Sequence, residues 1–300
     1  MSINIVKLRP LWFGISMTAV VLSVVFTAMW GLKQGIEFTG GSLLTVRFEN
    51  RPNPVDAQRA LESLDLGTMT VQPVGDMDMT FRLQTVDEDT HQNILSSLSG
   101  AYGTTTELQF NSIGPTVGKE LREKSIYAII VTFLAILAYI AWAFRKVSAP
   151  VESWKYGIVT IMQAFRDAMI PIGVFAFLGH FYGVEVGTPF IAAILTVVGY
   201  TITDCIVVMD RIRENLQRKS GTFESIVELS IHQTLLRSFN TSMATLLTLF
   251  AIFFFGGPSL HDFTLALIIG IAVGTYSSIF ISAPTLVTID EWSRKRKNKK

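Results

Sequence analysis

PFIAAILTVVGYTITDCIVVMDRIREN, residues 189–215, opens as an apolar run and closes in dense charge: Asp210, Arg211, Arg213 and Glu214. A membrane-crossing helix needs about 20 apolar residues, and Pro189–Met209 supplies that length. One carboxylate, Asp204, sits inside the run, with Tyr200, Thr201 and Thr203 close by. An ionisable side chain there costs at least about 3 kcal/mol unless it faces a partner or a water-filled path. Asp204 is therefore paired, protonated or functional. One reading makes it a structural hydrogen-bond partner. The other makes it a proton or ion carrier, since a carboxylate held between a cation and desolvation can load and unload a proton as helices shift. The charges from Asp210 to Glu214 read as a helix end whose salt bridges set a cytoplasmic loop.

The composition agrees with a membrane setting. Of 300 residues, 49% are hydrophobic and 16% charged, with mean hydropathy +0.42. That is too apolar for an ordinary soluble domain and fits a polytopic membrane protein with a water-exposed part. The net charge of +1 gives no general attraction to nucleic acid. The single cysteine, Cys205, excludes an internal disulfide and a cysteine metal cluster, and reads as a small buried residue.

Upstream, Lys7 and Arg9 precede an apolar run, Leu11–Trp30, bracketed by Trp12 and Trp30 as interface anchors. The run is too long for a signal-peptide core and no A-x-A site follows, so it reads as an uncleaved first span. Gly31–Lys124 differs in kind. Leu44, Val46 and Phe48 alternate with Thr45, Arg47 and Glu49, as in a half-buried strand. Asn53-Pro54 reads as a cap with proline at the first helical position, ahead of Ala57, Ala60, Leu61 and Leu64 at helical spacing. Strands near Met69–Val74 and Met79–Leu83 flank a Gly75-Asp76 turn. A short helix carries Ile94, Leu95 and Leu98 and stops at Gly100, and a last strand covers Thr104–Phe110. The order β-α-β-β-α-β predicts a ferredoxin-like α+β sandwich.

Further spans are expected at Ile126–Phe144, Met169–Tyr182, Pro189–Met209, Leu235–Phe255 and Phe263–Val287, six in all. Val151–Arg166 mixes aromatic and charged residues and is expected to lie along the interface. Domains follow as 1–30 (N-terminus and first span), 31–124 (extracytoplasmic domain), 125–287 (five-helix bundle) and 288–300 (basic tail). Lys and Arg cluster at the N-terminus, after spans two and four, and at Arg294–Lys300. Gly183–Thr188 and Gly256–Asp262 carry neither. Both termini are then cytoplasmic and the folded domain lies on the far side.

Two span motifs stand out. In span six, Gly270 and Gly274 form a small-xxx-small face that Ser277 and Ser278 extend, suited to close packing and, in the alternative, to packing that also moves. In span five, Arg237, Asn240 and Thr241 share a face at i, i+3 and i+4. Arg237 either snorkels to the cytoplasmic interface or pairs with Asp204. Tyr200, Thr201, Asn240 and Thr241 are the polar residues placed to support such a pair. There is no G-x-x-x-x-G-K-[ST] loop. The histidines His91, His180, His232 and His261 lack metal-ligand spacing, and no Ser–His–Asp set can be supported. An enzyme is the least favoured class, and no cofactor is implied.

Gly35–Ser42 (GIEFTGGS), just past the first span, resembles the Gly-Gly signature of the SecD/SecF family, on its SecF side. Ser112–Gly118 (SIGPTVG), Val198–Asn215, Gln233–Thr245 (QTLLRSFNTSMAT) and Gly274–Pro284 (GTYSSIFISAP) resemble the family's later signatures in the same order. The resemblance implies a half of RND-transporter type in the bacterial inner membrane. It implies a SecD partner beside the SecYEG channel, with YajC and YidC as further neighbours. Secreted unfolded polypeptide would be the substrate, and the proton gradient the drive for late export. It also implies that Asp204 is the essential intramembrane aspartate and Arg237 the arginine working with it. Gly35, Gly40, Gly41, Gly114, Pro115 and Gly118 would form the joints to the extracytoplasmic domain, passing on movements of spans four to six. Where the family often has His-Asp entering span three, this chain has Arg166-Asp167. The resemblance leaves two rivals: an RND-type half-transporter for a small molecule or lipid, and an assembly scaffold whose buried pair only fixes packing.

Overall fold

The computed structural model describes residues 4–143 and 153–297. Phe144 at the end of the expected second span, Arg145 and Lys146 after it, Val151 and Glu152 at the start of the expected interfacial stretch, and the last three residues of the basic tail lie outside them. The chain divides into two compact units, 34–127 and 1–33 with 128–300.

Unit 34–127 opens with a single helical turn, α2 (Ile36–Thr39), after the first long helix α1 (Arg9–Trp30). The order continues β1 (Gly41–Phe48), α3 (Pro54–Arg59), β2 (Thr70–Val74), β3 (Asp78–Leu83), α4 (Glu88–Tyr102) and β4 (Thr105–Ile113). The sheet order is β2-β3-β1-β4 and every pairing is antiparallel, which is the ferredoxin-like arrangement. The alternation of β1 sets the register. Leu44 lies opposite Phe81 and Phe110, and Val46 opposite Met79. Those side chains face Ala57 and Leu61 near α3 and Ile94 and Leu98 on α4 in one buried core. Each fully buried Leu or Phe contributes about 1.5–3 kcal/mol. Asn53 caps α3 by accepting from the Val55 N–H at 3.1 Å. Asp87 caps α4 by accepting from the Thr90 N–H at 3.0 Å. α4 does not stop at Gly100. It runs to Tyr102 and ends at Gly103, whose φ of +82° suits a helix terminus better than a second glycine still inside the helix. β4 likewise runs three residues past Phe110, because Asn111, Ser112 and Ile113 continue the ladder with β1.

The second unit holds α1 and the later long helices α5 (Pro115–Ala143, from residue 128), α6 (Ser153–Tyr182), α7 (Thr188–Arg218), α8 (Phe223–Phe255), α9 (Pro258–Ser277) and α10 (Ala283–Lys297). A π-helical turn, Ser278–Ser282, joins α9 to α10. Among the described residues, six helices are long and apolar enough to cross a membrane. Close approach is set by small residues. A Cβ added to Gly270 would lie 2.3 Å from Val197, and one at Gly274 1.9 Å from Thr201, so α7 and α9 touch backbone to side chain there. A Cβ on Gly173 would meet Ser23 of α1 at 2.3 Å, a contact the sequence reading did not single out.

Three expectations change. Residues 153–166, expected along the interface, are the first half of α6. Tyr156, Val159, Thr160, Gln163, Asp167 and Ala168 recur at helical spacing and are all buried, so the polar residues of this stretch point inward. Span five starts at Phe223, twelve residues before Leu235, capped by Thr222 accepting from the Ser225 N–H at 3.2 Å. The charges after Met209 stay helical. Glu214 bridges Arg211 and Arg218, each at 2.7 Å, along one helix face. What ties this end to α8 is Asn215 instead, buried and donating to Ser230 at 2.8 Å and Gln233 at 2.9 Å.

Candidate functional site: a serine turn between two carboxylates

Small and polar residues recur where span six breaks: Ser277, Ser278 and Ser282, all buried. A π-turn adds one residue to the helical repeat, so side chains just past it are re-aimed. Here the three hydroxyls reach two neighbouring helices. Ser278 Oγ donates to Asp204 Oδ2 of α7 at 2.5 Å. Ser277 Oγ donates to Asp167 Oδ1 of α6 at 2.5 Å. Ser282 Oγ donates to Gln163 Oε1 of α6. Hydroxyl-to-carboxylate bonds of that length are charge-assisted and roughly twice as strong as neutral ones.

Asp204 is half-buried and lies next to fully buried Cys205, whose Sγ is 3.7 Å from Thr160 Oγ1. Thr201 is fully buried one turn earlier and back-bonds to the Val198 carbonyl. Tyr200 Oη donates to Ser242 Oγ of α8 at 3.3 Å. The two α7–α8 links, Tyr200 to Ser242 and Asn215 to Ser230, pair rising with falling numbers, so these helices run antiparallel. Counting from them, Asp204 stands level with Ser238 to Thr241. The depth match expected for Arg237 therefore exists, but the pairing does not. Arg237, Asn240 and Thr241 are exposed on α8, and among the described residues no ion pair joins Arg237 to Asp204. The physical reason is facial: Ser238, not Arg237, points into the bundle, and it is 1% exposed. Thr241 Oγ1 turns back to the Arg237 carbonyl at 2.9 Å.

The cation at the seam is Arg166. It donates from Nη2 to Asp167 Oδ1 at 2.9 Å and from Nη1 to Ser16 Oγ of α1 at 3.2 Å. Asp167 is 0% exposed. Sequence reasoning noted the Arg166-Asp167 dipeptide only as a departure and gave Asp167 no part. The available signal was its spacing of four from Gln163 and seven from Thr160, a polar stripe on one helical face.

In unit 34–127 the joint residues pack on one another. A Cβ on Gly40, whose φ is +74°, would lie 2.8 Å from Pro115 Cα, and one on Gly118 2.9 Å from the Gly40 nitrogen. A Cβ on Gly41, whose φ is +130°, would lie 2.8 Å from the Leu83 carbonyl oxygen. Gly114 has open space, and Gly35 is extended and precedes α2. Only glycine allows the backbones at 40 and 118 to come this close.

Comparison with known proteins agrees with this architecture. Residues 94–292 match the family described as "Protein export membrane protein SecD/SecF, C-terminal" and residues 31–50 match "SecD/SecF GG Motif". The chain is 40% identical to the protein translocase subunit SecF of Thermobaculum terrenum, over 98% of this chain and 95% of that one. It is 37% identical to the SecF subunit of Anaerolinea thermophila, over 97% and 96%. Among solved structures, SecDF from Thermus, described as a translocon-associated membrane protein, superposes with a TM-score of 0.83 at 32% identity. That likeness covers 98% of this chain, which spans 39% of the SecDF chain.

Proposed function

This chain belongs to the SecD/SecF family of protein-export membrane proteins, as a SecF-type translocase subunit, and on that premise we propose that it couples the proton gradient to late protein export. It acts as an RND-type half, completed by a SecD subunit beside the SecYEG channel, in the bacterial inner membrane with both termini cytoplasmic. YajC and YidC are further neighbours, and the substrate is secreted unfolded polypeptide emerging on the far side. Asp204 carries the proton. Arg237, level with it and exposed, is the counter-charge that a shift of α8 or the partner's approach brings to it.

The observation that carries this reading is the single hydroxyl grip on Asp204. Ser278 donates to Asp204 Oδ2 and is also 3.0 Å from the Thr275 carbonyl. An ionised Asp204 draws the hydroxyl proton to itself. Once Oδ2 is protonated it becomes a donor, and Ser278 is free to turn its own proton to Thr275. The π-turn then exchanges a charge-assisted tether of about 1.5–3 kcal/mol for a neutral one of about 0.5–1.5 kcal/mol. The difference, about 1–1.5 kcal/mol, shifts a two-state packing equilibrium by about five- to tenfold. Sliding is favoured along the glycine face at Gly270 and Gly274. The movement reaches the extracytoplasmic domain through the glycine joints at 35–41 and 114–118.

The test is gradient-dependent export in inverted vesicles carrying Asp204→Asn, with subunit level and partner assembly measured in parallel. Asparagine keeps the size and removes the titrating group. Normal assembly with loss of the gradient-stimulated part of export is the expected result. Unchanged export moves the coupling off this residue and leaves the scaffold reading.

A further inference from the structure

Asp167 has no part in the cycle just given, yet among the described residues no other charged side chain is so fully buried. Its two oxygens are treated unequally. Oδ1 receives Arg166 Nε at 3.2 Å, Arg166 Nη2 at 2.9 Å and Ser277 Oγ at 2.5 Å. Oδ2 is buried and within hydrogen-bond geometry has no partner among the described residues, and the Gln163 amide Nε2, one turn earlier on α6, is the buried donor that likewise lacks one. A carboxylate with every donor on one oxygen leaves the other's charge unsolvated, which is costly in a low-dielectric interior. A Cβ added to Gly274 would stand 3.8 Å from Oδ2, in the position that the Thr201 methyl already fills, so Oδ2 faces the α7–α9 contact.

The elements packed against Asp167 bring the following charged, titratable and polar groups. On α6 there are Arg166 and Gln163, on α9 Ser277, and on the π-turn Ser278 and Ser282. α7 brings Thr201, Asp204 and Cys205, and α1 brings Ser16 through Arg166. One cation, Arg166, thus stands among two carboxylates. The cluster is neutral with one bound proton and carries one negative charge without it. Arg166, Gln163, Ser16, Ser282 and Thr285 also line a cavity of about 430 Å³ between α1, α6, the π-turn and α10, otherwise walled by apolar side chains such as Phe13 and Ile281.

We propose that Asp167 Oδ2 is a second proton-binding position of this bundle, sharing one proton with Asp204 through the serine turn that grips both, with Arg166 as its resident counter-charge. The inference rests on the proton-coupled reading of Asp204. A proton leaving Asp204 Oδ2 is taken up on Asp167 Oδ2, so one acid becomes a carboxylate and the other carboxylate an acid, and the cluster's charge is unchanged. Ser277 and Ser278, neighbours in sequence, pass the change on. The grip that tightens on the newly ionised group matches the grip that loosens on the protonated one, so the π-turn rocks between α6 and α7. When Asp167 is the acid, Arg166 is released towards Ser16 and the cavity.

The experiment is a pH titration of the full chain in lipid nanodiscs, following the infrared carbonyl band of protonated carboxylic acids. The wild type, Asp204→Asn and Asp167→Asn are compared, and the same variants are assayed for export. Two buried carboxyl contributions are expected, one lost in each variant. A spectrum unchanged by Asp167→Asn at every pH overturns the proposal, because Asp167 is then fixed as the ion pair of Arg166. Where Asp167→Asn fails to accumulate, Ser277→Ala decides. It removes the shortest of the bonds to Oδ1, so the Asp167 band moves to higher frequency. An unmoved spectrum in that variant also overturns the proposal. Failure of the earlier reading looks different: Asp204→Asn then exports normally, whatever the Asp167 band does.

Discussion

Gly274→Ala isolates the helix contact on which the Ser278 grip on Asp204 depends. The new Cβ would sit 1.9 Å from Thr201 Cγ2, where ordinary contact begins at 3.4 Å, so α7 and α9 must part by about 1.5 Å or Thr201 must turn. Turning is resisted, since Thr201 is 0% exposed and its hydroxyl bonds the Val198 carbonyl. Overpacking of this size costs about 1–3 kcal/mol, or about 5- to 150-fold in the folding equilibrium. Parting by about 1.5 Å at this level also stretches the 2.5 Å bond from Ser278 to Asp204 of α7 beyond hydrogen-bond range. Thr201→Ser supplies the control. It removes Cγ2, leaving the threonine Cβ position, 3.0 Å from the new methyl, as the next obstacle. Alone it loses one buried methyl, about 1 kcal/mol. In its background Gly274→Ala is expected to cost well under 1 kcal/mol, a coupling of about 1–2 kcal/mol. The assay is equilibrium unfolding of the full chain in mixed micelles, read beside export rate in vesicles. Equal costs for Gly274→Ala in the two backgrounds refute the reasoning, because the clash would then lie elsewhere.

Three further outcomes are expected. Ser278→Ala removes the hydroxyl on Asp204, so gradient-stimulated export falls about tenfold while the subunit still accumulates, measured in vesicles against the gradient-independent rate. Glu228→Gln weakens the clamp in which its carboxylate accepts the Ile5 and Val6 N–H groups at 2.9 and 2.8 Å; hydrogen exchange at those two amides should rise about tenfold. In the extracytoplasmic unit, the Arg47 guanidinium holds the Asp78 carboxyl below its usual range. A depressed carboxylate stabilises the fold above its unfolded value and loses that contribution as pH falls through the folded one. Acid unfolding followed by circular dichroism should therefore show Asp78→Asn destabilising at neutral pH and converging with the wild type in strong acid.

How much of this could be read from the chain follows from what each signal measures. Alternation in Ser42–Glu49 and the Asn53-Pro54 cap are local, and the structure has them where the pattern put them, with the ferredoxin-like sheet order as the consequence. Hydropathy locates apolar stretches but not helix ends, so α6 and α8 begin well before their apolar runs. Facing is harder still. Arg237 and Ser238 are one residue and about 100° apart on α8, and depth alone cannot choose which looks inward. An arginine read beside a lone intramembrane aspartate draws attention to the pair, whereas the structure gives the grip to serine. The π-turn is least legible of all. It is one extra residue in a helix that runs on through it, with no proline or glycine inside Ser278–Ser282 and only Pro284 just beyond to announce it. Its effect is nonetheless the largest, because a regular helix spaced at 3.6 residues could not aim Ser277 and Ser282 at α6 while Ser278 reaches α7. The polar residues that looked incidental, Gln163, Asp167 and the serines, become a site only through that added residue. It follows that restoring a regular helix by deleting one residue from Ser278–Ser282 should separate the two carboxylates' grips even with every site side chain still present.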